Sequence, residues 1–161
     1  MPLTARDPNE SDQEIDAGSV ADIRPLLTEI DHVAIAVHDL GDAIDSYREA
    51  FGATVDHRET VESDGVEEAM LKVAESYIQL LTPTRDDSPV ARYLDKRGEG
   101  LHHIAYRVDD CATVLEHLKA QGHRVIDEHP RPGSRGTTVA FVHPKALHGT
   151  LIELVEEGLP H

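Results

Sequence analysis

Four residues stand out as a set able to bind a metal ion: His32, Gln79, His103 and Glu153. Two imidazoles, an amide oxygen and a carboxylate make a mixed nitrogen and oxygen donor group. Such a group suits a divalent first-row cation at five or six coordination, with room for water or substrate. It is a poor match for a closed tetrahedral zinc site, which favours thiolates and imidazoles. Taken singly, none of the four carries that reading, because a histidine starting a strand or a glutamine within one is ordinarily just a polar residue. A repeat raises the set above its members. The stretch IDHVAIAV, Ile30 to Val37, aligns without a gap on LHHIAYRV, Leu101 to Val108, and matches His32 with His103. Further along, YIQLL, Tyr77 to Leu81, aligns on LIELV, Leu151 to Val155, and matches Gln79 with Glu153.

The elements that must position these residues share the repeat. Alternation predicts a strand for each histidine stretch, with Val33, Ile35 and Val37, or Ile104, Tyr106 and Val108, on one face. His32 or His103 leads the other face. Strict alternation also sends His102 and His103 to opposite faces, so His103 alone is expected at the metal, and the counterpart of His102 is Asp31. Seven residues after each histidine an aspartate, Asp39 or Asp110, is placed to cap a helix. The first predicted helix carries Leu40, Ala43, Ile44, Tyr47 and Phe51 and ends at Gly52; the second carries Cys111, Val114, Leu115 and Leu118 and ends at Gly122. His32 precedes Gln79 by 47 residues and His103 precedes Glu153 by 50, so the chain reads as two copies of a β-α-β-β-β unit, over 28–83 and 100–157, with a connecting helix over 88–98.

Composition fits one compact unit of that kind. With 161 residues, 39% of them hydrophobic, the chain can bury one good core but not two independent ones, so the two copies are expected to share a sheet system. No apolar run is long enough to cross a membrane, and no basic region followed by an apolar one marks a secretory signal. The single cysteine, Cys111, excludes an intramolecular disulfide and suits a reducing cytoplasm; its place on an apolar helix face reads as a buried structural thiol. Residues 1–27 are acidic and aperiodic and are expected to form a disordered tail. A formal net charge of −16 argues against nucleic acid and anionic membranes as partners, since both require a basic face.

The stretches IDHVAIAV, YIQLLTP, GEGLHHIAYRVDD and VAFVHPKALHGTLIELV resemble the vicinal oxygen chelate superfamily and, within it, the methylmalonyl-CoA epimerases. The likeness runs from Ile30 to Glu156. It implies an α+β fold in which two βαβββ modules form a pseudo-twofold, cup-shaped mixed sheet around one divalent metal per chain. Cobalt is the ion the family favours, and manganese, nickel and zinc suit the same donors. It also implies a CoA thioester as substrate and a homodimer. A glyoxalase on this scaffold usually has glutamate where Gln79 stands, and the ring-cleaving dioxygenases use two histidines and a glutamate. Non-catalytic binding members usually lack the metal set.

The resemblance further points to DGVEEAML, Asp64 to Leu71, where Glu68 matches a glutamate of the family. Glu67 and Glu68 face opposite ways on a strand, and Glu68 is in phase with Val66 and Met70. Ser63 and Asp64 depart from the Glu-Gln pair the family more often shows there. Epimerisation moves a proton between the faces of a carbon flanked by a thioester and a carboxylate, through an enolate that a metal stabilises as a Lewis acid. Inversion most simply takes two acid/base groups on opposite sides. Glu68 and Glu153 are the expected pair, with Glu153 combining proton transfer and ligation by family likeness. Arg131 and Arg135, in the glycine-rich loop RPGSRGTT, and Lys145 before the last strand are the candidates for contact with the anionic substrate. His148 reads as a surface turn residue, and His38, His57, His117, His123, His129, His143 and His161 have no repeat partner and no assigned chemistry.

Overall fold

A computed structural model of the chain describes residues 25–159. Most of the expected tail lies outside that range, and its last residue, Leu27, opens the first strand. Among the described residues eight strands form one curled mixed sheet with three helices packed on it. The strands are β1 (Leu27–Ala36), β2 (Val55–Val61), β3 (Val66–Val73), β4 (Ser76–Pro83), β5 (Gly100–Val108), β6 (Arg131–Pro132), β7 (Thr138–Val142) and β8 (Ile152–Glu156). Their spatial order is β2-β3-β4-β1-β5-β8-β7-β6. It reads outward from a central antiparallel pair, β1 and β5; each has a parallel neighbour, β4 or β8, and antiparallel strands beyond. Every strand thus has a counterpart across the centre, as the sequence repeat requires.

The helices form where their caps and apolar spacing dictate. In α1 (Leu40–Phe51) the Asp39 carboxylate accepts from the Asp42 N–H, and Gly52 stops the helix with a φ of 66° that few other residues adopt. In α3 (Cys111–Ala120) Asp110 does the same for Thr113. Between the two halves, α2 (Pro89–Arg97) is capped by the Ser88 hydroxyl and has proline in its first turn, where a missing N–H costs nothing. The loop RPGSRGTT is a hairpin connection: β6 and β7 pair across a 3-10 turn at Ser134–Gly136.

Packing sorts the helices by face. Leu40 and Ile44 of α1 cover Ala69, Leu71 and Leu80 on the outer face, and Cys111, Val114 and Leu115 of α3 cover Val108, Ala140, Val142 and Leu154 on the same side. Val90 and Leu94 of α2 instead pack on Ala34, Ala36, Val66 and Leu81, on the inner face that carries His32. The connecting helix therefore closes one end of the inner face. No described helix is long and apolar enough to cross a membrane.

This packing ranks two substitutions. Leu115→Ala empties a fully buried position and should lower stability by about 2–5 kcal/mol, seen as a lower urea midpoint at unchanged slope. Phe51→Ala, at a side chain 78% exposed, should shift the midpoint very little.

Candidate metal centre

Strand register brings the four predicted donors to one face. Ala34 of β1 lies opposite Gln79 of β4 on one side and His103 of β5 on the other, while Ala105 of β5 lies opposite His32 and Glu153. Paired residues share a face, so His32, Gln79, His103 and Glu153 all point inward around two alanines. Both alanines are fully buried, and their small side chains leave the space the donors occupy. Glu68 joins the same face because Met70 pairs with Gln79 and Glu68 with Leu81.

Three of the donors converge on a point. His32 Nε2 lies 3.1 Å from both His103 Nε2 and Glu153 Oε2, and His103 Nε2 lies 2.8 Å from the same oxygen. Gln79 donates its amide N–H to Glu68 Oε2. That leaves Gln79 Oε1 and Glu68 Oε1 buried without a hydrogen-bond partner. A buried amide oxygen lacking a donor is an unmet cost that a cation removes. The residues therefore fit a divalent metal held by His32, His103, Glu153 and the Gln79 amide oxygen.

The electrostatics point the same way. Burial opposes the charge on Glu153, yet hydrogen bonds from His103 and His32 hold its carboxyl well below the usual range. Burial likewise opposes a charged His32, but hydrogen bonds to Asp31 and Glu153 outweigh it and raise its pKa to about 9. Desolvation dominates at His103, whose pKa falls. The charged Glu153 carboxylate and the raised His32 pKa favour positive charge at the meeting point, which a metal ion supplies more fully than a proton, while His103 is kept in the neutral form that ligates a metal. Glu68 differs: burial raises its carboxyl above the ordinary value.

Beside these residues lies a cavity of about 180 Å³, lined by Glu68, Gln79, His103 and Glu153 together with Arg131 and apolar side chains that include Val66 and Val90. Pockets for drug-sized ligands usually exceed about 300 Å³, so this cavity is small by that measure.

The sequence pattern of the Glyoxalase/Bleomycin resistance protein/Dioxygenase superfamily matches residues 31–141. The ethylmalonyl-CoA/methylmalonyl-CoA epimerase of Cereibacter sphaeroides is 37% identical, over 80% of this chain and 98% of its own length. A Mycobacterium tuberculosis methylmalonyl-CoA epimerase structure is 40% identical with a TM-score of 0.82, covering 85% of this chain and 93% of that one. A Streptomyces coelicolor methylmalonyl-CoA epimerase, crystallised with 2-nitronate-propionyl-CoA, is 45% identical at a TM-score of 0.80, with coverage of 83% and 99%. The chain belongs to the methylmalonyl-CoA epimerase family of that superfamily.

The structure gathers the four donors that the sequence singles out, but several neighbours are placed differently from the sequence expectation. His102 does not face away from His103. A β-bulge sits between the pairs Ala34 with His103 and Ile35 with Leu101, and the extra residue is His102. Its ring turns into the cavity lining, its Nδ1 lies 2.8 Å from His103 Nδ1, and burial lowers its pKa to about 4. Glu67 pairs with Arg58 at the surface while Glu68 is buried, as alternation implies. Of the three basic candidates, Arg131 lines the cavity, bonded to Asp127 and ion-paired with Asp64. Arg135 turns instead to Asp31, 2.7 Å away, and stacks on Tyr77, while Lys145 sits exposed on a 3-10 turn. His57 and Glu59, which no repeat singled out, form a pair at 2.8 Å near Glu68. The cross-strand pairing of Glu59 with Glu68 is a tertiary fact with no counterpart in local pattern.

Cys111 is fully buried, and desolvation, with the charges of Glu156 and Asp110, pushes its thiol up to about 12. Native protein at about pH 8 should leave a thiol-specific disulfide reagent unreacted, with one equivalent consumed only in denaturant. Rapid native labelling would place the thiol outside the core.

Proposed function

We propose that this chain is a metal-dependent methylmalonyl-CoA epimerase, interconverting the (R) and (S) forms by removing and redelivering the proton at C2. The observation that carries this reading is the convergence of His32, His103 and Glu153 beside a buried Glu68, with His103, Glu153 and Glu68 lining one cavity. The superfamily also hosts other reactions, so fold alone does not choose among them. Support for this one comes from the relatives, from an amide at Gln79 where glyoxalases usually have glutamate, and from an unshared buried oxygen on Glu68.

A divalent ion held by His32, Gln79, His103 and Glu153, cobalt by family resemblance, would act as a Lewis acid toward the thioester and carboxylate oxygens and stabilise negative charge as the proton leaves. The residues divide the remaining work. Glu68, poised by burial to hold a proton more readily than an exposed glutamate, removes or returns it on one side. Glu153 serves the opposite side. The apolar lining from Val66, Leu81 and Val90 limits water at the reacting carbon, so a proton reaches it through a carboxyl, which exchanges with solvent between turnovers. Arg131 attracts the substrate's anionic groups, and the bulk of the CoA lies outside the small cavity. By family resemblance the enzyme works as a homodimer, and its lone buried thiol supports a place in a reducing cytoplasm.

The direct test follows deuterium incorporation at C2 of methylmalonyl-CoA by NMR, with and without chelator. Exchange should be fast in the metal-loaded protein, collapse on chelation and return with added metal; metal-independent exchange at the full rate would remove the Lewis acid from the scheme. Glu68→Gln keeps the shape and removes the base, so metal content should persist while exchange falls by about 10² or more. Full exchange in that variant would exclude Glu68 from proton transfer.

A further inference from the structure

The residue immediately before each candidate histidine ligand is a β-bulge residue. In the β1–β5 ladder Ile30 pairs with Tyr106 and His32 with Ala105, so Asp31 is the unpaired residue on β1; on the other strand it is His102. These are the positions that the sequence repeat aligns. Adjacent side chains of a regular strand point apart, and a bulge re-aims one of them. Here each bulge carries a side chain to its neighbour's imidazole: Asp31 Oδ1 lies 2.7 Å from His32 Nδ1, and His102 Nδ1 lies 2.8 Å from His103 Nδ1. Both contacts are to the ring nitrogen remote from Glu153, since Nε2 of each histidine faces that carboxylate.

We propose that Asp31 and His102 are paired positioning residues, each accepting a hydrogen bond from the Nδ1–H of the histidine that follows it and so presenting that ring's Nε2 to the metal. The role rests on metal ligation by His32 and His103. A proton held on Nδ1 selects the tautomer whose Nε2 carries a free lone pair, and the bond fixes the ring plane. The two partners are themselves held firmly. Asp31 is fully buried and accepts from two nitrogens of Arg107, at 3.0 and 3.2 Å, and from Arg135 at 2.7 Å. The His102 ring packs edge-on against Tyr93 of α2, with centroids 5.0 Å apart, while the Tyr93 hydroxyl donates to the Leu101 carbonyl at 2.6 Å. The pair is chemically unequal. A carboxylate makes His32 the more electron-rich ligand, whereas a neutral imidazole orients His103 without adding charge.

The test loads parent and variants with cobalt and follows its transfer to excess chelator, its visible absorption band, and the thermal midpoint of the metal-free protein. His102→Phe keeps a ring against Tyr93 but offers no acceptor, and Asp31→Asn keeps an acceptor but removes the charge. Cobalt should leave His102→Phe about 10- to 100-fold faster than the parent, with a shifted band and a metal-free midpoint near the parent's. Asp31→Asn should release it faster by a smaller factor, and His102→Gln, which restores an acceptor, should fall between His102→Phe and the parent. Parental release rates and an unchanged band in both His102→Phe and Asp31→Asn would overturn the proposal. So would faster release accompanied in every variant by a matching fall in the metal-free midpoint, since that marks a structural role. A parent protein that binds no cobalt would instead sink the metal reading itself.

Discussion

A buried carboxylate between two buried imidazoles sets the terms for the rest of this molecule. Glu153 lies on β8, His103 on β5 and His32 on β1, three strands adjacent in the sheet. Burying that charge is tolerable only with partners in place, and strand order and register put them there. A one-residue slip of β8 against β5 would turn Glu153 to the outer face, among the apolar side chains under α3, and leave the Nε2 atoms of two imidazoles without their carboxylate. The alanines at 34 and 105 belong to the same constraint, because they stand where larger side chains would fill the space of the four donors.

Charge compensation extends behind the site. Asp31 takes hydrogen bonds from His32, Arg107 and Arg135, and Arg107 reaches on to Glu29. Burial opposes the charge on Asp31, but its partners hold the carboxyl down to about 2. In a chain of formal charge −16, two of the 15 lysines and arginines are thus directed to one aspartate. Arg135 occupies this place through a left-handed backbone, φ 55°, which turns it from the glycine-rich loop toward β1. A loop whose arginines read in sequence as contacts for an anionic substrate thus places one of them, Arg135, on the aspartate beside His32.

The other side of the centre is lined largely by apolar side chains. Where Val66, Leu81 and Val90 meet Glu68, a carboxyl has little water to stabilise its charge, and its affinity for protons rises. Glu153 experiences the reverse, because two imidazoles favour its charged form. Two glutamates in one cavity are thereby pushed apart in acidity by what surrounds them. Helix α2 adds Val90 to this lining, and among the described residues it has no counterpart in the second half of the chain.

By itself the sequence determined what depends on local periodicity and on repetition. Alternation marks the strands at Ile30–Val37 and Leu101–Val108, aspartate caps and a glycine stop delimit α1, and self-similarity alone pairs His32 with His103 and Gln79 with Glu153. Glu68 needed the family likeness in addition, since nothing in its own strand separates it from an ordinary buried position. Tertiary structure decided what depends on who lies across from whom. Strict alternation put His102 on the wrong side because a bulge is defined by the ladder of the partner strand, and one strand's sequence contains no record of it. Arg135 could be seen as a cation in a loop, but its pairing with Asp31 joins segments 104 residues apart in the chain. Side-chain direction along a strand is a short-range property; the partner that completes a buried charge is a long-range one, and folding alone brings it within reach.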